Sequence, residues 1–227
     1  MHIPDGFINN GLAGGFLAGA VALFSYCFSK VLKAVTVTVK KLAGNNGLNL
    51  STAFPGLSEN AGAYFKKLAI IALWVFSFQM FNIPVNSGTS VHLLGGVFAA
   101  VLAGPFAGLV IMSSVLAVQS IFFSDGGLMA LGLNIFNMAF IGSFAAYYVY
   151  KAASKKNYYF GVAAACFFSV LAAAFFCVVE LSLSSTVSFA SAFKDMMSVH
   201  FIFAAIETVL TIILLKLFKN LSTAGNE

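Results

Sequence analysis

Residues 160–183 read FGVAAACFFSVLAAAFFCVVELSL, 24 residues of which only Glu180 carries a charge. As a helix rising about 1.5 Å per residue, this run is roughly 36 Å long, enough to cross a hydrocarbon layer of about 30 Å. Backbone polar groups cannot stay open to lipid in that layer, so the run is a transmembrane helix. The same signal recurs in six other places. The apolar segments are Gly11–Leu32, Leu68–Ile83, His92–Ala103, Pro105–Phe123, Leu128–Tyr150, Phe160–Leu183 and Val199–Leu217. The whole chain agrees: 60% of its 227 residues are hydrophobic, 8% are charged, and the mean hydropathy is +0.96. Soluble domains carry about a quarter charged residues. The expected fold is therefore an all-α polytopic membrane bundle of about seven transmembrane helices. It forms one domain over residues 1–221, with 222–227 as a tail.

The segments are not equivalent. His92–Ala103 is short for a full crossing, and Gly104-Pro105 separates it from the next segment. Proline at the first helical position costs little, so Pro105 opens a new helix and the short segment reads as half of a re-entrant hairpin buried in protein. Cys27, Cys166 and Cys177 all lie in apolar runs. Cys166 and Cys177 stand roughly 16 Å apart along one helix, beyond disulfide reach, and read as small packing residues. Gly11, Gly15 and Gly19 recur every four residues in the first segment, a spacing that allows close helix approach. Nothing in the first ten residues resembles a basic, cleavable leader.

The net charge of +5 comes from twelve lysines with no arginine. In a membrane chain that excess reports topology. Eleven of the lysines, all but Lys194, fall on one side of a seven-span arrangement. That side is expected to be cytoplasmic. The N-terminus, the 82–91 and 124–127 turns and the 184–198 connection are then outside, the C-terminus inside, and Leu42–Phe65 a Gly/Asn/Ser-rich cytoplasmic loop. All three histidines, His2, His92 and His200, then sit at external helix ends.

His2 follows Met1 directly in Met1-His2-Ile3-Pro4-Asp5-Gly6. The α-amine and the His2 amide nitrogen close a five-membered chelate ring on a metal. The amide and the imidazole Nδ1 close a six-membered one. Residues 1–10 thus form an external chelating tail that fills three corners of a plane, a geometry suited to Ni(II) or Cu(II) more than to Zn(II). His92, delivered by the polar turn Asn86-Ser87-Gly88-Thr89-Ser90-Val91, is the candidate for the fourth corner, with Thr89 or Ser90 as helix cap and supporting hydroxyls. Asp125, in Ser124-Asp125-Gly126-Gly127, reads as a turn or cap residue. Asn134 and Asn137 lie inside a membrane helix, where amides bond across helices or line cavities. His200 and Glu207 share one helix face two turns apart, and with Glu180 they are the other intramembrane polar groups. They define a competing reading, a stand-alone secondary cation transporter or channel running along Glu180, His200 and Glu207. The chain has no nucleotide-binding G-x-x-x-x-G-K-[ST], no H-E-x-x-H and no G-x-S-x-G, so an enzyme is not expected and the chain is not expected to use ATP by itself.

Several of these stretches occur together and in order: Met1-His2-Ile3-Pro4-Asp5-Gly6-Phe7, Gly88-Thr89-Ser90-Val91-His92-Leu93-Leu94-Gly95-Gly96, Gly104-Pro105, Asp125-Gly126-Gly127-Leu128, Asn134-Ile135-Phe136-Asn137-Met138 and the His200…Glu207 pair. The set resembles the substrate-binding CbiM/NikM components of energy-coupling factor transporters, over residues 1 to about 211. The resemblance implies Co2+ or Ni2+ as transported substrate with no separate cofactor, and Met1, His2 and His92 as its ligands. It also implies an inner-membrane location, a CbiQ/NikQ-like scaffold subunit, CbiO/NikO-like ATPase subunits and a small CbiN/NikN-like accessory protein. Planar d8 chemistry leans to nickel, whereas the family's link to cobalamin synthesis leans to cobalt. The sequence departs from the family pattern in a longer Leu42–Phe65 loop, in Val91 where glycine is common, and in Phe-Ala-Ala-Ile-Glu around Glu207.

Overall fold

The computed structural model describes residues 2–42, 54–84 and 90–224, with side chains over 2–35, 62–84 and 90–218. Seven helices run through the described residues. They are α1 (Asn10–Leu42), α2 (Phe54–Gln79), α3 (Gly96–Ala103), α4 (Pro105–Phe122), α5, α6 (Tyr158–Leu183) and α7 (Phe189–Ala224). Helix α5 is continuous but changes pitch, from α over Leu131–Asn134 to π over Ile135–Ala145 and back to α over Ala146–Ala153. Two-residue strands β1 (Ile83–Pro84) and β2 (Ser90–Val91) pair antiparallel ahead of α3. Among the described residues, four stretches are long and apolar enough to cross a membrane: Asn10–Val35, Pro105–Phe122, Tyr158–Leu183 and Phe189–Phe218. Large apolar side chains such as Val21, Leu73, Phe122, Leu183 and Val209 point outward, as lipid-facing positions require. The protein is a multi-pass membrane helix bundle.

The expected boundaries shift in three places. Residues 54–65, read as loop, open α2 instead. The glycine, asparagine and serine residues behind the loop reading concentrate between Gly44 and Ser51. Beyond them Pro55 suits a first helical turn, and helix-forming residues follow. Residues 43–53 lie outside the described residues. Residues 189–198, read as part of an external connection, are the first turns of α7. An amphipathic extension of a membrane helix carries no long apolar run to mark it.

The third difference concerns His92. Only residues 96–103 of the third segment are helical. Ser90 lies in β2, so it caps no helix, and Thr89 lies outside the described residues. His92–Gly95 is a non-helical lead that ends at Gly95, whose left-handed φ of 72° starts α3. Non-helical backbone at membrane depth needs partners. Here both Glu207 oxygens accept from it, Oε2 from Leu94 N (2.9 Å) and Oε1 from Gly95 N (2.7 Å). Gln79 Nε2 donates to Leu94 O (2.8 Å). Helices α2 and α7 thus hold the segment that carries His92. The hairpin of α3 and α4 packs on the π stretch of α5, and Lys67 Nζ donates to Leu102 O near the α3 C-terminus (3.0 Å).

Candidate metal centre

The N-terminal tail is tied down along its length. Asn134 reads the Ile3 main chain in both directions: Ile3 N donates to Oδ1 (2.9 Å), and Nδ2 donates to Ile3 O (3.2 Å). Gly127 N donates to the same carbonyl (2.9 Å). Two residues on, the Asp5 carboxylate accepts from Leu128 N (3.1 Å), Met129 N (2.8 Å) and Ala130 N (3.4 Å). Helix α5 has no side-chain cap of its own. Asp5 therefore caps it from 123 residues away, with a negative charge against the positive end of the helix. Thr186 Oγ1 donates to Phe7 O, and Asn9 N donates to Ser184 Oγ.

Gly127 makes this docking fit. A Cβ on Gly127 would overlap both the Asp5 carboxylate and the Asp5 main-chain nitrogen. Main chain cannot swing aside as a flexible side chain can. Gly127→Ala is expected to lift the tail and lower metal affinity by at least about tenfold, with a modest loss of stability of about 1–3 kcal/mol. Titration calorimetry beside a thermal melt checks this.

The docked tail buries His2 at 3% exposure and sets its ring against that of His92, which is fully buried. The ring centroids lie 4.6 Å apart with the planes tilted by 55°. Each histidine has one nitrogen occupied. His2 Nδ1 bonds to Asp125 Oδ1 (2.7 Å), and Asn82 Nδ2 donates to the same oxygen (2.9 Å). His92 Nδ1 donates to Leu93 O (2.9 Å), and His200 Nδ1 donates to Met196 O (2.7 Å). The Nε2 atoms of His2, His92 and His200 are buried without a partner among the described residues. Buried polar atoms are seldom left open, and the His2–His92 ring pair carries one such nitrogen on each ring. Burial lowers the His2 pKa more than the Asp125 hydrogen bond raises it, which keeps the imidazole neutral and its free nitrogen a donor to metal. Burial alone would raise the Asp125 carboxyl, but the bonds from His2 and Asn82 bring it below its ordinary value.

Asp125, read from sequence as a turn residue, is thus a direct partner of His2. Asn82 and Gln79 escaped sequence reading altogether, since a single amide at a helix end carries no pattern. Asn137 Nδ2 donates to Glu180 Oε2 (2.6 Å) inside the bundle. Glu207 is committed to the α3 lead and His200 to its own helix. No hydrogen bond among the described residues joins Glu180, His200 and Glu207 directly. Ser90 Oγ is buried without a partner among the described residues. Met1 lies outside them.

No three His, Cys, Asp or Glu side chains among the described residues form a metal cage. A metal held by the His2 and His92 imidazoles would therefore need donors beyond these side chains.

Residues 2–224 match a family described as the cobalt uptake substrate-specific transmembrane region. A putative fused nickel transport protein NikMN of Archaeoglobus fulgidus is 35% identical over 157 residues, 69% of this chain and 44% of that protein. The fused nickel transport protein NikMN of Rhodobacter capsulatus is 34% identical over 155 residues, 68% of this chain and 38% of its own length. The cobalt transport protein CbiM of Thermosipho melanesiensis is 37% identical over 100 residues, covering 44% and 43% of the two chains. The chain thus spans less than half of each of these relatives. A crystal structure of a truncated transition metal transporter superposes with a TM-score of 0.79 at 25% identity, covering 97% of this chain and 99% of that one.

Proposed function

The chain belongs to the cobalt uptake substrate-specific transmembrane family, and we propose that it is the substrate-capture component of an energy-coupling factor importer for Ni2+ or Co2+. The observation that carries this reading is the burial of His2 against His92, 90 residues apart in sequence, with ring centroids 4.6 Å apart and His92 Nε2 open. The ion sits in a plane of four nitrogens: the Met1 α-amine, the His2 amide and Nδ1, and His92 Nε2. His92 offers Nε2 because Leu93 O holds its Nδ1. His2 gives up its bond to Asp125 when Nδ1 turns to the ion. Asp125 then remains beside the site as a counter-charge held by Asn82.

The tail faces the outside of an inner membrane, the lysine-rich end faces the cytoplasm, and the ion arrives from outside. The chain carries no nucleotide-binding run, so scaffold and ATPase subunits of the CbiQ/NikQ and CbiO/NikO kinds drive release. A NikN/CbiN-like accessory component completes the assembly. Its support is the description of two relatives as fused NikMN proteins.

Two substitutions test the ligand set. His92→Ala should leave three tail nitrogens and a water, weakening Ni2+ or Co2+ binding by about 10–100-fold. His200→Ala should change affinity by less than about threefold. Titration calorimetry on both variants decides the matter, and loss with His200→Ala but not with His92→Ala would overturn the assignment.

A further inference from the structure

The lysine-rich end of the bundle carries a feature unrelated to metal capture. Of the described lysines, Lys30, Lys33, Lys66, Lys67, Lys151, Lys155, Lys156 and Lys216 lie at this end, and all are exposed. The acids whose side chains are described lie elsewhere. Asp5 and Asp125 belong to the tail and its dock, Asp195 to the start of α7, and Glu180 and Glu207 are buried inside the bundle. The one ion pair among the described residues is His2 with Asp125. None of these lysines has an acidic partner among the described side chains.

Aromatic rings underlie it. A row of ring contacts runs from Tyr148 through Tyr147 (5.7 Å), Tyr150 (6.2 Å) and Tyr158 (6.4 Å) to Tyr159 (5.3 Å), crossing from α5 to α6. Lys216 of α7 places its ammonium 5.1 Å from the Tyr159 ring centre. At the α5–α6 turn, Asn157 caps α6 by accepting from Tyr159 N and Phe160 N, which fixes both tyrosines beside Lys155 and Lys156. Below this turn the exposed residues Phe160, Phe168 and Phe175 recur every seven or eight positions along one face of α6. An apolar stripe thus leads straight into a cluster of tyrosines and ammonium groups.

We propose that Lys151, Lys155, Lys156 and Lys216, with Tyr158 and Tyr159, form a binding site for an anionic phospholipid. The lysines hold the headgroup phosphate while the acyl chains lie along the phenylalanine stripe. Tyrosine suits a boundary that is apolar on one side and wet on the other. Basic residues next to such a boundary attract anionic headgroups at about fivefold in affinity per lysine. A lipid fits better than an acidic protein surface because the cluster is continuous with the lipid-facing stripe of α6.

Native mass spectrometry of the full chain from mixed micelles with equal phosphatidylglycerol and phosphatidylcholine tests this. Phosphatidylglycerol adducts should exceed phosphatidylcholine adducts by at least about fivefold. Lys155→Gln with Lys156→Gln should bring the two near parity, while Lys194→Gln at the opposite end changes nothing. A thermal melt establishes that each variant is folded. Equal retention of the two lipids by the unaltered chain overturns the site. So does a preference that survives loss of Lys155, Lys156 and Lys216 together. A preference erased by millimolar inorganic phosphate reassigns the cluster to a small anion, and displacement by a polyglutamate peptide reassigns it to a protein partner. Either result overturns the lipid assignment.

Discussion

Acetylating the Met1 α-amine is expected to abolish high-affinity metal binding while the bundle stays folded. The α-amine is one corner of the proposed plane, and it also anchors the chelate from which the His2 amide loses its proton. Blocking it therefore removes two donors, leaving imidazoles that bind weakly on their own. The loss should exceed the roughly 10–100-fold cost of losing an outer-shell partner of a metal ligand. Acetylation is a cleaner test than a one-residue extension. That extension would create an amine followed by two amides and an imidazole, itself a planar chelator. The tail should remain docked, because Asn134 on Ile3 and Asp5 on the start of α5 are untouched. Titration calorimetry reads the affinity, and a thermal melt reads the fold. Unchanged affinity would remove Met1 from the site.

The helices were legible because each apolar run had to satisfy its own backbone in lipid. That rule located all seven segments, including the Gly104-Pro105 break. It could not see where helices continue past the apolar layer, as α2 does before residue 66 and α7 before residue 199. Nor could it see that His92–Gly95 is non-helical, since that depends on Glu207 and Gln79 reaching in from other helices. His2 and His92 were legible through chelate chemistry and helix-end position. Their companions were not. Asp125 and Asn82 act through contacts spanning 123 and 43 residues of sequence, and Asp5 caps a helix to which it does not belong. Contacts of that range leave no periodic trace.

The spin state of bound nickel separates the planar site from a simple pair of histidines. In the structure, His2 Nδ1 is bonded to Asp125 while Nε2 is open, so two coordination modes compete. If the ion only bridges the open Nε2 atoms of His2 and His92, water must complete its shell, and Ni(II) is six-coordinate, pale and paramagnetic. If the ion takes Nδ1 from Asp125, the amine, the amide and both imidazoles make a plane of strong donors with one anionic nitrogen. One d orbital is then raised far above the rest, all eight d electrons pair, and the complex is yellow and diamagnetic. The planar mode is the expected one, because among the described residues no third His, Cys, Asp or Glu side chain completes a metal-binding group and the chelate rings close only through Nδ1. The change costs one hydrogen bond between a carboxylate and an imidazole, about 1.5–3 kcal/mol. Asp125 offsets part of that cost by staying next to the new positive charge. Magnetic susceptibility and the visible spectrum of the nickel-loaded protein distinguish the two modes. A paramagnetic complex would keep His2 and His92 as ligands through Nε2, with Asp125 fixing the His2 ring, and would remove the main-chain nitrogens from the site.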